Sequence, residues 1–228
     1  MSIIINWKTI KDGIGWSKDT WCQPLRAFID DNPNIEFSHS LEIGASEYGT
    51  LSPFLKEISS KVAVGYFECD ITKLNNNLSH LNIENESEYI DITEINGKYD
   101  LIIAKSVLGG IFRYKESTVN DVNEFIESII EKNIKQGGMM ILMDNGNSYF
   151  EKYLSNFGAR KNDWRFFNPK DFINPYQQYT FGFLSCFSLE NRYGFFGKFF
   201  DYTLYFFDLF LSKLTNHPTV ILTVYKKQ

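Results

Sequence analysis

The stretch Leu41-Glu42-Ile43-Gly44-Ala45-Ser46-Glu47-Tyr48-Gly49 sets a short apolar segment directly before a turn that contains glycine. Apolar residues then recur at positions 51, 54, 55 and 58, the spacing of one helix face. Residues 62–67, Val-Ala-Val-Gly-Tyr-Phe, have the composition of a second strand. A strand, a glycine turn, a helix and a strand within about thirty residues predict a βαβ unit.

The same alternation continues along the chain. Four further apolar segments are predicted to be strands, and 119–133 carries a helical apolar face; the strand segments are 89–92, 100–104, 139–143 and 219–225. Nearly continuous apolar strands that alternate with helices predict a parallel sheet covered on both faces. We therefore expect an α/β fold with a doubly wound, Rossmann-like, mostly parallel sheet.

The flanking regions suggest how the chain is divided. Residues 1–38 are predicted to form a helical lead-in, and 39–228 the main domain, with 149–215 as an aromatic-rich insertion before the last strand. The lead-in helix is predicted from Trp21, Leu25, Phe28 and Ile29 and should stop at Asp31-Asn32-Pro33. Residues 75–77, three asparagines, are interpreted as a polar loop.

Length and composition exclude several classes of protein. A chain of 228 residues suits one domain, and 23 basic against 28 acidic residues give a net charge of −5 that argues against a nucleic-acid partner. The three cysteines lie far apart, which predicts neither a disulfide framework nor a metal clip. With no signal peptide or long apolar segment evident, we expect a cytoplasmic bacterial protein without a transmembrane segment.

A glycine turn of this kind can hold three classes of ligand. A P-loop needs Lys and Ser/Thr after its second glycine, where this chain has Thr50 and Leu51. A dinucleotide site needs GxGxxG, but Ser46 stands at the middle glycine. S-adenosylmethionine (SAM) has no phosphates and tolerates a less glycine-rich turn.

Acidic residues at three successive strands favour the third class. Glu42 lies in the first strand, where it can help to hold the ligand's ammonium group. Glu68, with Asp70 as the close alternative, follows the second strand and can accept both ribose hydroxyls, and Asp91 can take the adenine amino group. One such acid is more often a solvated strand-end residue, but ligands of open α/β sheets bind where these strand ends meet.

Four segments together resemble the class I SAM-dependent methyltransferase family, over about residues 38–148 and again at 219–227. Residues 41–49 are similar to its first motif, with Gly49 displaced by one position, and Asp91-Ile92 is similar to its adenine-binding strand end. Residues 99–108 resemble the fourth motif, and 134–141 the glycine-glycine strand motif.

The resemblance implies a seven-stranded sheet with an antiparallel last strand and transfer of a methyl group from SAM to a small-molecule or glycan-type acceptor. It also implies a SAM site, with Lys105 contributing its backbone near the sulfonium; the site residues are Glu42, Gly44, Ala45, Ser46, Gly49, Glu68, Asp70, Asp91, Ile92 and Lys105. No catalytic base is assigned, because His39, His80 and His217 are interpreted as surface or turn histidines.

Two alternatives to methyl transfer stay open: an NAD(P)-dependent oxidoreductase of Rossmann fold, and a non-catalytic binding or scaffold protein. A metal site is not expected. The pair Asp144-Asn145 is similar to that of metal-dependent O-methyltransferases, but Lys105-Ser106 stand where such a site needs a carboxylate.

An unusually aromatic helix is predicted over residues 195–214. A narrow polar seam follows one side of it, and apolar residues cover the rest; the seam consists of Lys198, Asp201, Tyr205, Asp208 and Ser212. Such a helix usually packs into the core or a subunit interface, so a homo-oligomer is one expectation. A lid over an apolar substrate and peripheral membrane contact are the alternatives. Residues 164–167, Trp-Arg-Phe-Phe, are interpreted as packing over the site or the core.

Overall fold

The computed structural model describes residues 4–15, 17–47, 49–66, 70–83, 86–89, 95–148, 163–184 and 190–228. Seven strands form one sheet: β1 (Phe37–Ala45), β2 (Ser59–Tyr66), β3 (Glu86–Tyr89), β4 (Tyr99–Lys105), β5 (Ile134–Asn145), β6 (Gln177–Phe181) and β7 (Val220–Lys226). The helices are α1 (Trp7–Ile14), α2 (Lys18–Asp31), α3 (Ser52–Ile58), α4 (Ile71–His80), α5 (Leu108–Ile111), α6 (Val119–Asn133) and α7 (Glu190–Leu211). Short 3-10 helices occupy Pro169–Asp171 and Ser212–Leu214.

The strand order is β3-β2-β1-β4-β5-β7-β6. Strands β1 to β5 pair in parallel, whereas β7 runs antiparallel to both β5 and β6. This confirms the predicted doubly wound, mostly parallel sheet of seven strands with an antiparallel last strand. The chain reverses its direction of winding between β1 and β4, and ligands of open α/β sheets bind beside such a switch point.

Helices cover both faces of the sheet. On one face, α1, α2 and α3 bury Ile10, Trp21 and Phe54 against Ile103 and Ile141. On the other face, α6 packs against the side chains of β1, β4 and β5 that point the opposite way. Because the central strands are buried on both faces, their sequences are almost uniformly apolar.

The start of α6 and the end of α2 lie where the sequence predicted them. The side chain of Thr118 accepts a hydrogen bond from Asp121 N–H at 3.3 Å, and Asp121 Oδ2 accepts one from Thr118 N–H at 2.6 Å. This capping box starts α6 at residue 119, as predicted. The lead-in helix α2 ends at Asp31, where Asn32 Nδ2 donates to the carbonyl of Phe28 at 2.8 Å.

The predicted polar loop at 75–77 is wrong, because these asparagines lie inside α4. Leu74 and Leu78 bury one face of that short helix, and its polar residues face outward. Strand β6 lies within the range 149–215, where no regular pattern had indicated a strand. The third strand occupies 86–89, and the part of its prediction that covers 90–92 lies outside the described residues. The domain boundaries stay a prediction.

Of the two structural expectations for the aromatic helix, packing into the core is wrong, and a subunit interface stays a prediction. The C-terminal part of its polar seam faces the protein: Asp208 is fully buried and accepts from Phe183 N–H and Leu184 N–H, each at 2.9 Å, and Ser212 Oγ accepts from Gly182 N–H at 2.9 Å. The opposite half is exposed and almost wholly apolar; it consists of Phe195, Phe196, Phe199, Phe200, Tyr202, Phe206, Phe207, Leu209 and Phe210. None of the described helices combines the length and apolar character needed to cross a membrane.

Candidate functional site

The turn after β1 has the backbone that its glycine predicted. Gly44 adopts a φ of +73°, in the left-handed region that favours glycine, and a Cβ there would overlap the side chain of Val107. Ser46 and Gly49 then exchange two backbone hydrogen bonds of 3.3 Å, which close a tight loop. Ala45 is buried where the pairing of β1 with β2 shifts register. The loop therefore leaves the backbone of Gly44 partly exposed near the carboxyl end of β1.

Glu42 fixes the position of the segment that follows this loop by accepting hydrogen bonds from it. Its side chain is fully buried, and Oε1 accepts a hydrogen bond from Leu51 N–H at 2.7 Å, while Oε2 accepts from the hydroxyls of Thr50 and Ser52. Burial raises the pKa of Glu42, and these hydrogen bonds together with the charge of Lys105 oppose the rise. In this structure the carboxylate fixes the path from the glycine turn to α3.

Helix α1 packs directly against the loop. Thr50 N–H donates to the carbonyl of Gly13 at 2.6 Å, and a Cβ on Gly49 would overlap the carbonyl of Ile14. A Cβ on Gly13 would meet the ring of Pro53 at 2.6 Å. Gly49 is thus needed for a close backbone approach to α1, and it belongs to the support of the loop.

Lys105 ends β4 with a buried ammonium group. Its Nζ lies 4.8 Å from the ring centroid of Trp21, on α2, a distance at which the ring attracts the positive charge. Burial lowers the pKa of Lys105 from 10.5 to about 8, and the charges of Glu42 and Asp144 oppose this shift. The sequence had assigned a role to the backbone of Lys105, whereas the structure also brings its side chain to the site.

Asp144 ends the next strand, β5, and is fully buried. Its Oδ1 accepts from Gly109 N–H at 3.4 Å, and its Oδ2 has no hydrogen-bond partner among the residues that the structure describes. Burial raises the pKa of Asp144 from 3.8 to about 7, against the lowering effect of two backbone hydrogen bonds and of Lys105. A buried polar atom without a partner marks a place where a ligand can bind.

The segment after β4 adds a strained residue. Ser106 has a φ of +54°, and its N–H donates to the carbonyl of Met143 at 2.7 Å. A non-glycine residue in this conformation is costly and is often found at functional sites. Close behind it, Gly109 and Gly110 allow the ring of Trp164 to pack on α5, as a Cβ on either would overlap or crowd that ring.

The remaining sequence-predicted residues divide into two groups. Asp70 is exposed and caps α4, because its Oδ1 accepts from Lys73 N–H at 3.1 Å. That hydrogen bond lowers the pKa of Asp70. Asp70 N–H donates to Glu47 Oε2 at 3.3 Å and so links the start of α4 to the glycine loop. Glu68, Asp91 and Ile92 lie outside the described residues.

Two contributors were missed as site residues. Trp21 had been interpreted only as a helix-face residue, and no sequence signal pairs it with Lys105. Asp144 had been considered only as a metal ligand; an acid that directly follows a buried apolar strand was the available signal. Together, Glu42, Lys105 and Asp144 form a buried cluster of two carboxyls and one amine at the carboxyl ends of β1, β4 and β5.

Comparison with solved structures shows which known folds this chain resembles. Coclaurine N-methyltransferase, solved with N-methylheliamine and S-adenosylhomocysteine, is 13% identical and matches 100% of this chain and 82% of its own with a TM-score of 0.56. N-methyltransferase NodS from Bradyrhizobium japonicum WM9, solved with S-adenosylhomocysteine, is 12% identical over 91% of this chain and 85% of its own, with a TM-score of 0.50. The fold is that of the class I SAM-dependent methyltransferases.

A third match has the same fold within a longer chain. Phosphoethanolamine N-methyltransferase 2 from Haemonchus contortus, in complex with phosphomonomethylethanolamine and S-adenosylhomocysteine, is 13% identical over 91% of this chain, with a TM-score of 0.55. This chain spans about half of it, 53%, and 53% of a SAM-dependent methyltransferase from Clostridium acetobutylicum ATCC 824, which it matches with a TM-score of 0.43. No protein-family model matches the chain. No protein with a curated description matches it.

Proposed function

We propose that this protein is a SAM-dependent methyltransferase. One observation carries the proposal: the glycine turn with its left-handed Gly44 closes β1 at the switch point of a sheet ordered β3-β2-β1-β4-β5-β7-β6. Three of the solved structures cited above, two N-methyltransferases and the phosphoethanolamine N-methyltransferase, have this fold and were determined with S-adenosylhomocysteine bound. The likeness supports the fold, and the residues at the sheet edge support the ligand.

The chemistry of the site fits a cationic nucleoside ligand. Gly44 lets the loop backbone pass Val107 where no Cβ fits, and Asp144 Oδ2 is a buried acceptor without a partner among the described residues. The two buried carboxyls, Glu42 and Asp144, outnumber the one buried amine, Lys105, and carboxyl oxygens favour a sulfonium or an ammonium group over a pyrophosphate. This preference also weighs against the NAD(P)-dependent alternative.

SAM supplies a methyl group that its positively charged sulfur already activates for transfer. The protein therefore has to align the acceptor and exclude water. Glu42 keeps the loop fixed, Gly44 provides the close backbone approach, and Trp21 shields Lys105 on the side of α2. Glu68 and Asp91 are proposed to bind the ribose hydroxyls and the adenine amino group.

The proposed acceptor is a small molecule or a glycan-type molecule. The solved structures of this fold include complexes with two small molecules, N-methylheliamine and phosphomonomethylethanolamine. The excess of acidic residues argues against a nucleic-acid acceptor.

Isothermal titration of the purified protein with SAM and with S-adenosylhomocysteine tests the proposal. We expect saturable binding of both, and no binding at millimolar concentration would overturn it. Gly44→Val should abolish binding, since its side chain would overlap Val107 and displace the glycine turn, whereas Gly137→Val is a matched control. Gly137 has a similar φ of +76°, but a Cβ added there would meet no atom within 4 Å. Asp91→Ala should weaken SAM binding without unfolding the protein.

A parallel titration with NADH, followed by absorbance near 340 nm, distinguishes the oxidoreductase alternative. Binding of NADH without binding of SAM would favour that alternative. Formation of S-adenosylhomocysteine with a panel of acceptors would exclude a purely non-catalytic role.

A further inference from the structure

A cleft of about 520 Å³ lies between the two N-terminal helices and the aromatic helix. One wall carries polar and charged side chains of α1 and of the first turn of α2, and the other carries Phe195, Phe199 and Tyr202 of α7. Tyr205 also lines the cleft and is held in place, since its hydroxyl accepts a hydrogen bond from Gln23 Nε2. The cleft is thus built from two regions that the sequence predicted separately.

The charged side chains of the cleft do not all neutralise one another. Lys11 pairs with Asp19, and Lys18 pairs with Asp12 at 3.6 Å. Lys8 and Lys198 also line the cleft, one from each side, as does Asp201 on α7, and neither lysine has an ionic partner among the described side chains. The lining therefore carries four lysines against three aspartates, and this excess of positive charge favours an anionic group near Lys8 and Lys198.

The apolar wall continues onto an exposed surface. Phe195, Phe199 and Tyr202 are 81%, 62% and 64% exposed, and they also belong to the exposed half of α7. A ligand whose apolar part covers these rings would remove a large apolar area from water. The cleft therefore joins a site for a negative charge to a platform for a hydrocarbon or aromatic body.

The cleft is also adjacent to the buried cluster at the sheet edge. Ser17, Lys18, Asp19 and Thr20 line it, and the next residue, Trp21, covers Lys105. The first turn of α2 thus separates the cleft from the proposed cofactor site.

We propose that this cleft binds an amphipathic anion, with its anionic group between Lys8 and Lys198 and its apolar body on Phe195, Phe199 and Tyr202. Any role of this molecule in methyl transfer rests on the proposed function. The binding site itself does not, because its walls contain none of the residues assigned to the cofactor.

Titration calorimetry with decyl phosphate, kept below its micelle-forming concentration and without SAM, tests the site. We expect saturable binding to one site, weaker binding of decyl maltoside, and weaker binding of inorganic phosphate. The double variant Lys8→Gln/Lys198→Gln should weaken decyl phosphate binding by about tenfold, as expected for two exposed ion pairs. Phe199→Ser should weaken it by a similar factor, about tenfold.

Matched controls separate the cleft from the rest of the aromatic face. Phe210, 65% exposed, lies on α7, and Lys213 lies on the 3-10 helix that follows it; neither lines the cleft. Phe210→Ser and Lys213→Gln should therefore leave the affinity for decyl phosphate unchanged. The proposal is overturned if decyl phosphate does not saturate one site, if the double lysine variant binds it equally well, or if Phe210→Ser weakens binding as much as Phe199→Ser does. If this protein binds decyl phosphate but does not bind SAM, the cleft proposal stands and the proposed function fails.

Discussion

The ammonium nitrogen of Lys105 lies 4.8 Å from the ring centroid of Trp21, with both side chains almost completely buried. Lys105 ends a central strand, whereas Trp21 belongs to the N-terminal lead-in. The contact shows that α2 closes one side of the candidate site. At this buried position, the aromatic ring and the two neighbouring carboxyls stabilise the charged form of the amine.

This contact should depend on pH. A double-mutant cycle with Trp21→Leu and Lys105→Met cancels the cavity that leucine leaves and isolates the interaction of the ammonium with the ring. We expect a coupling free energy of about 1 kcal/mol near pH 6. It should fall towards zero above about pH 9, since the pKa of Lys105 is lowered to about 8 and the amine is then neutral. Denaturant unfolding of the four proteins measures it, and a coupling that is the same at both pH values would contradict the interpretation.

Asp144→Asn should change how stability depends on pH. Between about pH 4 and pH 7 the folded protein keeps the Asp144 proton, while the unfolded chain releases it, because burial raises the pKa from 3.8 to about 7. The wild-type free energy of unfolding therefore loses up to about 1.4 kcal/mol per pH unit in this range through Asp144. The variant lacks this loss, so its stability relative to wild type should rise across the range and level off above about pH 7. Urea unfolding at four pH values checks this, and a constant difference would contradict it.

Asp100→Asn should show the opposite dependence. Asp100 Oδ2 accepts from His39 N–H at 2.9 Å and pairs with Lys135 Nζ at 3.0 Å. Burial would raise the pKa of Asp100, but the hydrogen bonds from Lys135 and His39 outweigh it and lower the pKa below 3.8. The stabilisation is complete above the pKa of the unfolded chain and is lost as pH falls through the folded one. The variant should thus be less stable at pH 7, with a deficit that shrinks below about pH 4, in the same urea series.

The sequence predicted the sheet well because the central strands are buried on both faces. Their near-continuous apolar residues need no knowledge of the partner strand. The edge strand β6 was missed, since only Phe181 of its residues is buried and its pattern is correspondingly weak. Helix α4 was missed because its apolar face consists of only Leu74 and Leu78.

The candidate site was predicted in part for a similar reason. A turn that needs a positive φ usually contains glycine, so the sequence predicted Gly44 and the nearby acid Glu42 as site residues. The contact of Lys105 with Trp21 depends on tertiary packing, which periodicity does not encode. The same holds for α7, where composition identified the apolar half but left open whether it faces the core, another subunit or solvent. The structure turns it outward because Asp208 binds the backbone of residues 183 and 184.

Gly44→Ala and Gly137→Ala separate backbone strain from steric overlap. Both glycines have positive φ, so each substitution should cost about 1 kcal/mol of strain. The methyl group at 44 also overlaps Val107, which raises the expected cost to about 2–4 kcal/mol, whereas a methyl group at 137 would meet nothing within 4 Å. Adding Val107→Ala to Gly44→Ala should recover the steric part of the free energy of unfolding. Equal costs for the two single variants would show that Val107 does not crowd the turn.

Asp208→Asn should loosen the aromatic helix. The carboxylate accepts two backbone hydrogen bonds of 2.9 Å, from Phe183 and Leu184, in a fully buried position. An amide has one acceptor oxygen, so one of these N–H groups must face an amide NH₂, at a cost of about 2 kcal/mol. We expect faster hydrogen exchange of the α7 amides and faster chymotrypsin cleavage within 195–210, while Asp201→Asn, two turns earlier, leaves the exchange of α7 nearly unchanged. Unchanged α7 exchange in Asp208→Asn would mean that other contacts hold the helix, and the outward orientation of its aromatic half would then need another cause.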